Sequence, residues 1–390
     1  MSQDEKKIQE LLTRGVEDVF VKDSLLQKLK SGRPLRVKLG IDPTGATIHI
    51  GRAVPLWKLR AFQELGHTAI LIVGDFTAQI GDASDKLEKR PMLSEKEVKE
   101  NLRHYKKIIG KIIDVDKAEF VFNSAWLAKL GFVEIAALAE SFSISQMSAR
   151  RNFKERLERE EEVSLREFLY PLMQGYDSVA VKADVEIGGF DQLFNVKAGR
   201  IIQKHYGQPE QDVLTVSMLE GTDGRKMSTS WGNVINITDE ASDIFGKVMS
   251  IRDELIGKYF VLATTVPLSE IEKIEQGMKQ GANPRDSKAR LAREIVSLYH
   301  GSLKAQQAEE SFNSAFREGK PEEFLQISGD DTARSLIEKK VIESKSELRR
   351  LIAEGAVTSI ETGEKMGEEF LKAVPRGRYR IGKHRFVEIR

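Results

Sequence analysis

Thr68–Asp75, TAILIVGD, constrains the fold more than any other stretch of the chain. Its apolar residues follow one another without the polar alternation of a half-exposed strand, and the run stops at Gly-Asp. Such a strand is buried on both faces, which requires a parallel sheet covered by helices. The neighbouring segments fit that demand. Leu35–Ile41 (LRVKLGI) is a β-branched run after Gly-Arg-Pro, and a helix is predicted from about Ile50 to Leu65 with Val54, Trp57, Ala61 and Leu65 on one face. A second helix is predicted over about Ser94–Ile113, followed by the short strand Ala118–Phe122. Helical, charge-rich sequence fills about Ser124–Ala183, and Val185–Gly189 and Val213–Leu219 read as further strands. This βαβα order predicts an α/β, doubly wound parallel sheet, which binds ligands at the carboxyl ends of its strands where the strand order reverses.

From about Thr238 to Phe316 the pattern turns almost wholly helical, and Ser328–Asp331 reads as a linker. The last module opens with two amphipathic helices (ARSLIEKKVI, SKSELRRLIAEG) and ends in basic, strand-like sequence. From Arg334 to Arg390 there are 14 Lys/Arg against 9 Asp/Glu, whereas the preceding residues carry a net charge of −4. A basic appendage on a near-neutral body suits contact with phosphates, and equally a solvated surface. No apolar run approaches the ~18–20 residues of a membrane helix. The N-terminal MSQDEKKIQELL reads as an amphipathic helix and not as a signal peptide. The chain has no cysteine, which fits a reducing, cytoplasmic setting. Its six histidines show no ligand spacing, so no structural metal is expected.

Three motifs carry chemistry. Gly40-Ile41-Asp42-Pro43-Thr44, followed by His49-Ile50-Gly51-Arg52, joins a strand end to a helix start, where free N–H groups attract phosphate. Gly51 admits close approach of a bulky nucleotide, and His49 can donate to a phosphoryl oxygen. Gly224-Arg225-Lys226-Met227-Ser228-Thr229-Ser230 is a polar, Gly-led loop whose lysine can close on a triphosphate. Tyr170, Gln174 and Asp177 fall at i, i+4 and i+7 of an otherwise apolar helix, so they share one face. They either satisfy one another in a packing contact or line a polar site.

Together, in this order and about 175 residues apart, the first two motifs resemble the HIGH and KMSKS signatures of class I aminoacyl-tRNA synthetases. The stretch from Tyr170 through ADVEIGG to Phe190-Asp191-Gln192 resembles the tyrosyl-tRNA synthetases, more so than the related tryptophanyl enzymes. That resemblance implies a Rossmann-like catalytic domain over 1–237 with a helical connective insertion at about 124–165. It further implies a helical anticodon-side domain over 238–327 and a small α+β S4-like RNA-binding domain over 332–390. It implies activation of L-tyrosine with ATP, brought in with Mg²⁺ on its phosphates, then transfer to tRNA(Tyr) by a homodimer. His49, Arg52, Lys226 and Thr229 would be catalytic. Gly40, Asp42, Thr44, Gly51, Gly189, Asp191 and Ser230 would join His49 and Lys226 around ATP, with Asp191 on the ribose. Asp177 would accept a hydrogen bond from the substrate phenol, Tyr170, Gln174 and Asp82 would hold its ammonium, and Gln192 would lie near its carboxylate. Lys86 and Arg90 would contact pyrophosphate or form a solvated loop. Lys345, Arg349 and Arg350 would meet RNA or form a charged helix face.

The sequence departs from the family pattern at four positions. Arg52 replaces a histidine but still donates to phosphate. Thr229 replaces a lysine, which leaves more phosphate charge to Lys226. Lys38 stands where many members carry a tyrosine that touches the substrate, and it either pairs with Asp177 or lies elsewhere. Phe190 replaces a small residue and would narrow the pocket. A non-catalytic RNA-binding paralogue, a tryptophan-specific enzyme and a ligase with another acceptor are the competing expectations.

Overall fold

The computed structural model describes residues 3–82, 93–314, 324–328, 332–339, 341–342, 344–367, 370, 376–382 and 385–389. It falls into two compact units, Met1–His300 and Gly301–Arg390. The first is built on six strands: β1 (Val16–Phe20), β2 (Arg36–Ile41), β3 (Thr68–Val73), β4 (Glu119–Phe122), β5 (Val185–Gly189) and β6 (Asp212–Val216). Their order is β1-β6-β5-β2-β3-β4. β2 through β6 pair in parallel and β1 runs antiparallel along β6. The chain winds outward from β2 through β3 to β4, then crosses back to lay β5 on the other side of β2. The reversal between β2 and β5 therefore opens a crevice at the carboxyl ends of these two strands, the place expected for a ligand.

The apolar run in β3 is buried as its composition demands, with Ala69, Ile70, Leu71, Ile72 and Val73 all within 1% of full burial. β1 was not predicted. VEDVF carries two charges at its centre and lies half in solvent at the sheet edge, so it lacks the apolar pattern of the inner strands. The helix Ile50–Glu64 starts where expected, but its buried stripe is Ile50, Ala53, Val54, Leu56, Leu59 and Phe62, not the Trp57, Ala61, Leu65 face. The sheet takes the first stripe. Trp57 sits at its margin and donates from Nε1 to the Tyr299 hydroxyl at 3.0 Å, on the helix Pro284–His300. The helix predicted over 94–113 is two helices, Glu95–Leu102 and Tyr105–Ile109. His104 breaks it with φ/ψ of −117°/4°, and the restart buries Tyr105, Ile108 and Ile109.

The second unit begins with the helix Ser302–Asn313 and holds a four-stranded sheet of β7 (Leu325–Ile327), β8 (Val357–Ser359), β9 (Gly377–Ile381) and β10 (Arg385–Ile389), ordered β7-β10-β9-β8. Its core gathers Ile327, Val357, Tyr379, Ile381, Val387 and Ile389 from the strands with Leu336, Leu348, Leu351 and Ile352 from the helices Thr332–Glu338 and Lys345–Ala353. Among the described residues no helix is long and apolar enough to cross a membrane.

Candidate active site

His49 caps the helix Ile50–Glu64: its Nδ1 accepts the Arg52 main-chain N–H at 3.3 Å. With Nδ1 accepting, the proton resides on Nε2, which is left as a donor. Burial, reinforced by the Arg52 and Lys226 charges, depresses its pKa to about 3, so the imidazole is neutral at physiological pH. Arg52 donates from Nη2 to the Thr44 hydroxyl at 2.7 Å, fixing the guanidinium over the turn between β2 and the helix. Gly51 is confined from both sides. A Cβ there would stand 3.1 Å from His49 Nδ1 and 3.3 Å from Met227 Sδ. The helix start and the lysine loop, far apart in sequence, thus touch at this glycine. Main-chain bonds lace them further, from Ile50 N–H to the Ile235 carbonyl at 2.9 Å and from Ile237 N–H to the Ile48 carbonyl at 3.0 Å.

Asn233 organises the lysine loop. Its Oδ1 accepts the Ser228 N–H at 2.8 Å, and its Nδ2 donates to the Lys226 carbonyl at 3.0 Å and to Asp223 at 2.8 Å. Gly224, at φ 83°, makes the left-handed turn that starts the loop. Lys226 Nζ lies 3.0 Å from Asp191 Oδ2, with both side chains partly exposed. Thr229 is exposed at the start of the turn Thr229–Trp231, which also contains Ser230. Gly189 ends β5, where a Cβ would meet Asp191 Oδ1 at 2.7 Å, and Gly40 lies exposed near the end of β2.

Tyr170, Gln174 and Asp177 do share a face of the helix Leu165–Ala180, and they are satisfied by other elements instead of one another. Tyr170 donates its hydroxyl to Asp42 Oδ2 at 2.8 Å, and Thr77 donates to Asp42 Oδ1 at 2.7 Å. Burial, with the Asp42 carboxylate next, pushes the Tyr170 phenol well above its ordinary pKa. Asp42 fits here only because residue 74 is glycine: a Cβ would come within 2.0 Å of Oδ1. Asp177 is 4% exposed and accepts from Trp126 Nε1 at 2.7 Å and from Asn123 Nδ2 at 3.4 Å. Burial raises its pKa to about 7, against the opposing pull of Lys38 and of these two donors.

Lys38 does not bond to Asp177. Its ammonium pairs with Glu186 Oε1 at 3.2 Å and donates to the Gln174 carbonyl at 3.0 Å. Gln174 Nε2 turns to the same Glu186 oxygen at 2.9 Å. Asp82 accepts from Gln192 Nε2 at 2.8 Å and from Asn195 Nδ2 at 3.3 Å, and Asn195 also donates to Gln192 Oε1 at 3.0 Å. Arg150 donates to Asn195 Oδ1 at 3.2 Å and lies over the Phe153 and Phe194 rings at 4.8 and 4.7 Å. Phe190 is 45% exposed. Lys86 and Arg90 lie outside the described residues. Lys345, Arg349 and Arg350 are exposed along the helix Lys345–Ala353 of the second unit, with Arg350 4.0 Å from Glu354.

Asn123, Trp126, Arg150, Glu186 and Asn195 were missed in the sequence, as were Thr77 at Asp42 and Asn233 in the lysine loop. Only Glu186 left a signal. It is a charge in the middle of an otherwise apolar parallel strand, as Lys38 is in β2. Two such charges of opposite sign in neighbouring buried strands call for each other.

The parallel α/β unit carries a neutral histidine on a helix start, a lysine loop folded against that start, and the buried acids Asp82 and Asp177. The family of class I tRNA synthetases for W and Y matches residues 30–317. A tyrosine–tRNA ligase of Carboxydothermus hydrogenoformans is 45% identical, with 100% of this chain and 99% of that protein covered. One from Shewanella oneidensis is 42% identical over 97% of each. The solved C-terminally truncated mitochondrial tyrosyl-tRNA synthetase of Aspergillus nidulans shares the fold at a TM-score of 0.65 and 22% identity, covering 81% of this chain and 95% of that one. The chain belongs to the class I tRNA synthetases and, within them, to the tyrosine–tRNA ligases.

Proposed function

We propose that this chain activates L-tyrosine with Mg²⁺-bound ATP and transfers it to the 3′ end of tRNA(Tyr). The observation that carries the reading is the contact of His49 and Gly51 with Met227 of the lysine loop, next to the end of β2 where Asp42 takes the Tyr170 hydroxyl. In the first step a tyrosine carboxylate oxygen attacks the α-phosphorus and the bond to pyrophosphate breaks. In the second the 3′-terminal hydroxyl of tRNA attacks the tyrosyl carbonyl and AMP leaves. Neither step needs a covalent enzyme intermediate, so the protein's task is placement and charge stabilisation.

His49 Nε2, Arg52 and Lys226 donate to phosphate oxygens, with Thr44, Thr229 and Ser230 beside them and Lys86 and Arg90 on the pyrophosphate. Gly40, Gly51 and Gly189 let the nucleotide approach the backbone, and Asp191 and Asp42 serve its polar groups. Lys226 exchanges its bond to Asp191 for phosphate as the nucleotide enters. Asp177 accepts from the tyrosine phenol, Tyr170, Gln174 and Asp82 hold its ammonium, Gln192 lies at its carboxylate, and Lys38 supports the pocket from below. We assign 1–237 to catalysis, with the insertion at about 124–165, 238–327 to the anticodon side and 332–390 to an S4-like grip on RNA. Exposed Phe132 (88%), Val133 (79%), Ile144 (82%) and Leu165 (77%) supply apolar surface for a second copy of the chain. The cysteine-free chain fits work in the cytoplasm.

Purified protein should exchange pyrophosphate into ATP only when tyrosine is present. Exchange driven by tryptophan in its place would overturn the specificity. Replacing Lys345, Arg349 and Arg350 together by alanine should weaken tRNA charging at limiting tRNA by about 10-fold or more, and flatten its salt dependence, because three phosphate contacts are lost. Pyrophosphate exchange in that variant should match the wild type. Unchanged charging would mean that this helix face does not serve tRNA.

A further inference from the structure

Lys38 and Glu186 are Cα partners in the β2/β5 ladder, each only 1% exposed, and Glu186 has no part in the chemistry above. Every contact of the Glu186 carboxylate bears on the substrate-selecting helix or its support. Oε1 takes Lys38 Nζ at 3.2 Å and Gln174 Nε2 at 2.9 Å. Oε2 takes the Ser178 hydroxyl at 3.3 Å and the Gln211 amide. Lys38 closes the ring with its bond to the Gln174 carbonyl at 3.0 Å. The helix Leu165–Ala180 is thus clamped at residues 174 and 178, on either side of Asp177.

We propose that the Lys38–Glu186 pair is the positioning device of the tyrosine pocket: it holds Gln174 and the helix turn bearing Asp177, and its two charges set the field around that carboxylate. The inference rests on the tyrosine reading above. It gives a physical account of a lysine in a strand core, where an unpaired ammonium would be costly. The charged and titratable groups facing Asp177 are Lys38 from β2, Glu186 from β5 and Tyr170 on its own helix, and Asn123 and Trp126 face it as neutral donors. The two charges of the pair act on Asp177 in opposite directions. Lys38 favours its ionised form and Glu186 its protonated form.

The test is tyrosine-dependent pyrophosphate exchange by the full chain across pH 5.5 to 9. Tyrosine binding that uses ionised Asp177 has an acid limb in kcat/KM. Lys38→Met should move that limb to higher pH by about half a unit or more, because Asp177 keeps its proton longer. Glu186→Gln should move it to lower pH. Both should raise KM for tyrosine about 10-fold and leave KM for ATP within about 2-fold, and the double variant should return the limb towards the wild-type position, as coupled neighbours do. A role in folding alone has no reason to split the limb in opposite directions. Should the single variants fail to fold, Glu186→Asp keeps the charge but shortens the reach; it should raise tyrosine KM by about 5-fold without moving the limb. Limbs that stay put or shift together, tyrosine and ATP KM that rise together, or an Asp variant that matches wild type would each overturn the inference. A wild type without tyrosine-dependent exchange would overturn the tyrosine reading and this inference with it. An active wild type with unaltered variants would overturn the inference alone.

Discussion

Lys226→Ala is expected to lower the rate of tyrosine-dependent pyrophosphate exchange at saturating substrates by at least ~100-fold, the scale seen when one preorganised donor to a developing oxyanion is removed. Three features of this chain set the effect at that level. Thr229 replaces the loop's second lysine and is exposed, so Lys226 carries the loop's charge at this point. The loop is held by Asn233 and touches Gly51 through Met227, so the lysine is delivered by a fixed backbone. The partner it relinquishes, Asp191, is partly exposed, so breaking that pair costs little. A charge that acts mainly in the transition state lowers kcat and kcat/KM together. Tyrosine KM should therefore change much less than kcat. A loss below about 10-fold, or a loss confined to KM, would remove Lys226 from the chemistry and leave it a ground-state contact.

The second large effect concerns Asp177. Asp177→Ala is expected to lower kcat/KM for tyrosine by about 100- to 1,000-fold, corresponding to about 3–4 kcal/mol for a charged hydrogen bond lost together with desolvation of its partner. Activation of phenylalanine, which has no hydroxyl to offer, should fall far less, so the ratio between the two substrates collapses. The variant also leaves Trp126 Nε1 without its acceptor, while Asn123 Nδ2 keeps its bond to the Thr77 hydroxyl at 3.0 Å. Stability should drop by about 1–3 kcal/mol in urea unfolding for that reason. Asp177→Asn keeps an acceptor for Trp126 and separates the two roles. Its stability should lie nearer wild type while discrimination is still lost.

The wild-type pH dependence has a definite sign. The carboxyl is raised to about 7, so in the substrate-free protein it adds to stability below its unfolded value near 4 and that contribution is lost as pH rises towards 7. Tyrosine, which bonds to the ionised form, should bind more tightly as pH rises through 7, and Asp177→Asn should abolish that limb. Equal losses for tyrosine and phenylalanine with matching loss of stability would assign Asp177 to folding.

Much of the sheet was readable from the chain because buried parallel strands announce themselves locally. β5 matches its predicted run, β3 starts with its run at Thr68 but ends at Val73 before Gly-Asp, β2 begins one residue later, and the strand predicted at Val213–Leu219 is Asp212–Val216. Where burial is one-sided the signal thins, as at β1, whose exposed charges hid it until β6 supplied a partner. Helix existence was legible but helix faces were not. The stripe of Ile50–Glu64 that is buried depends on which neighbour it meets, and the break at His104 reflects burial of Tyr105, Ile108 and Ile109, not a local stop signal.

By itself the sequence determined the alternation that demands a doubly wound sheet, the two signature loops, and the single helix face shared by Tyr170, Gln174 and Asp177. Each of these is a matter of composition or spacing within one segment, where 2.0- and 3.6-residue periods act. Only the tertiary structure decided who pairs with whom: Lys38 with Glu186 across neighbouring strands, Tyr170 with Asp42, Asp177 with Trp126 and Asn123, and Gly51 with Met227. Those choices follow from strand order and from the need of each buried polar group for a partner. Strand order brings together segments far apart in the chain, 51 residues for Asp177 and Trp126 and 128 for Tyr170 and Asp42, and no local pattern encodes which of them will meet.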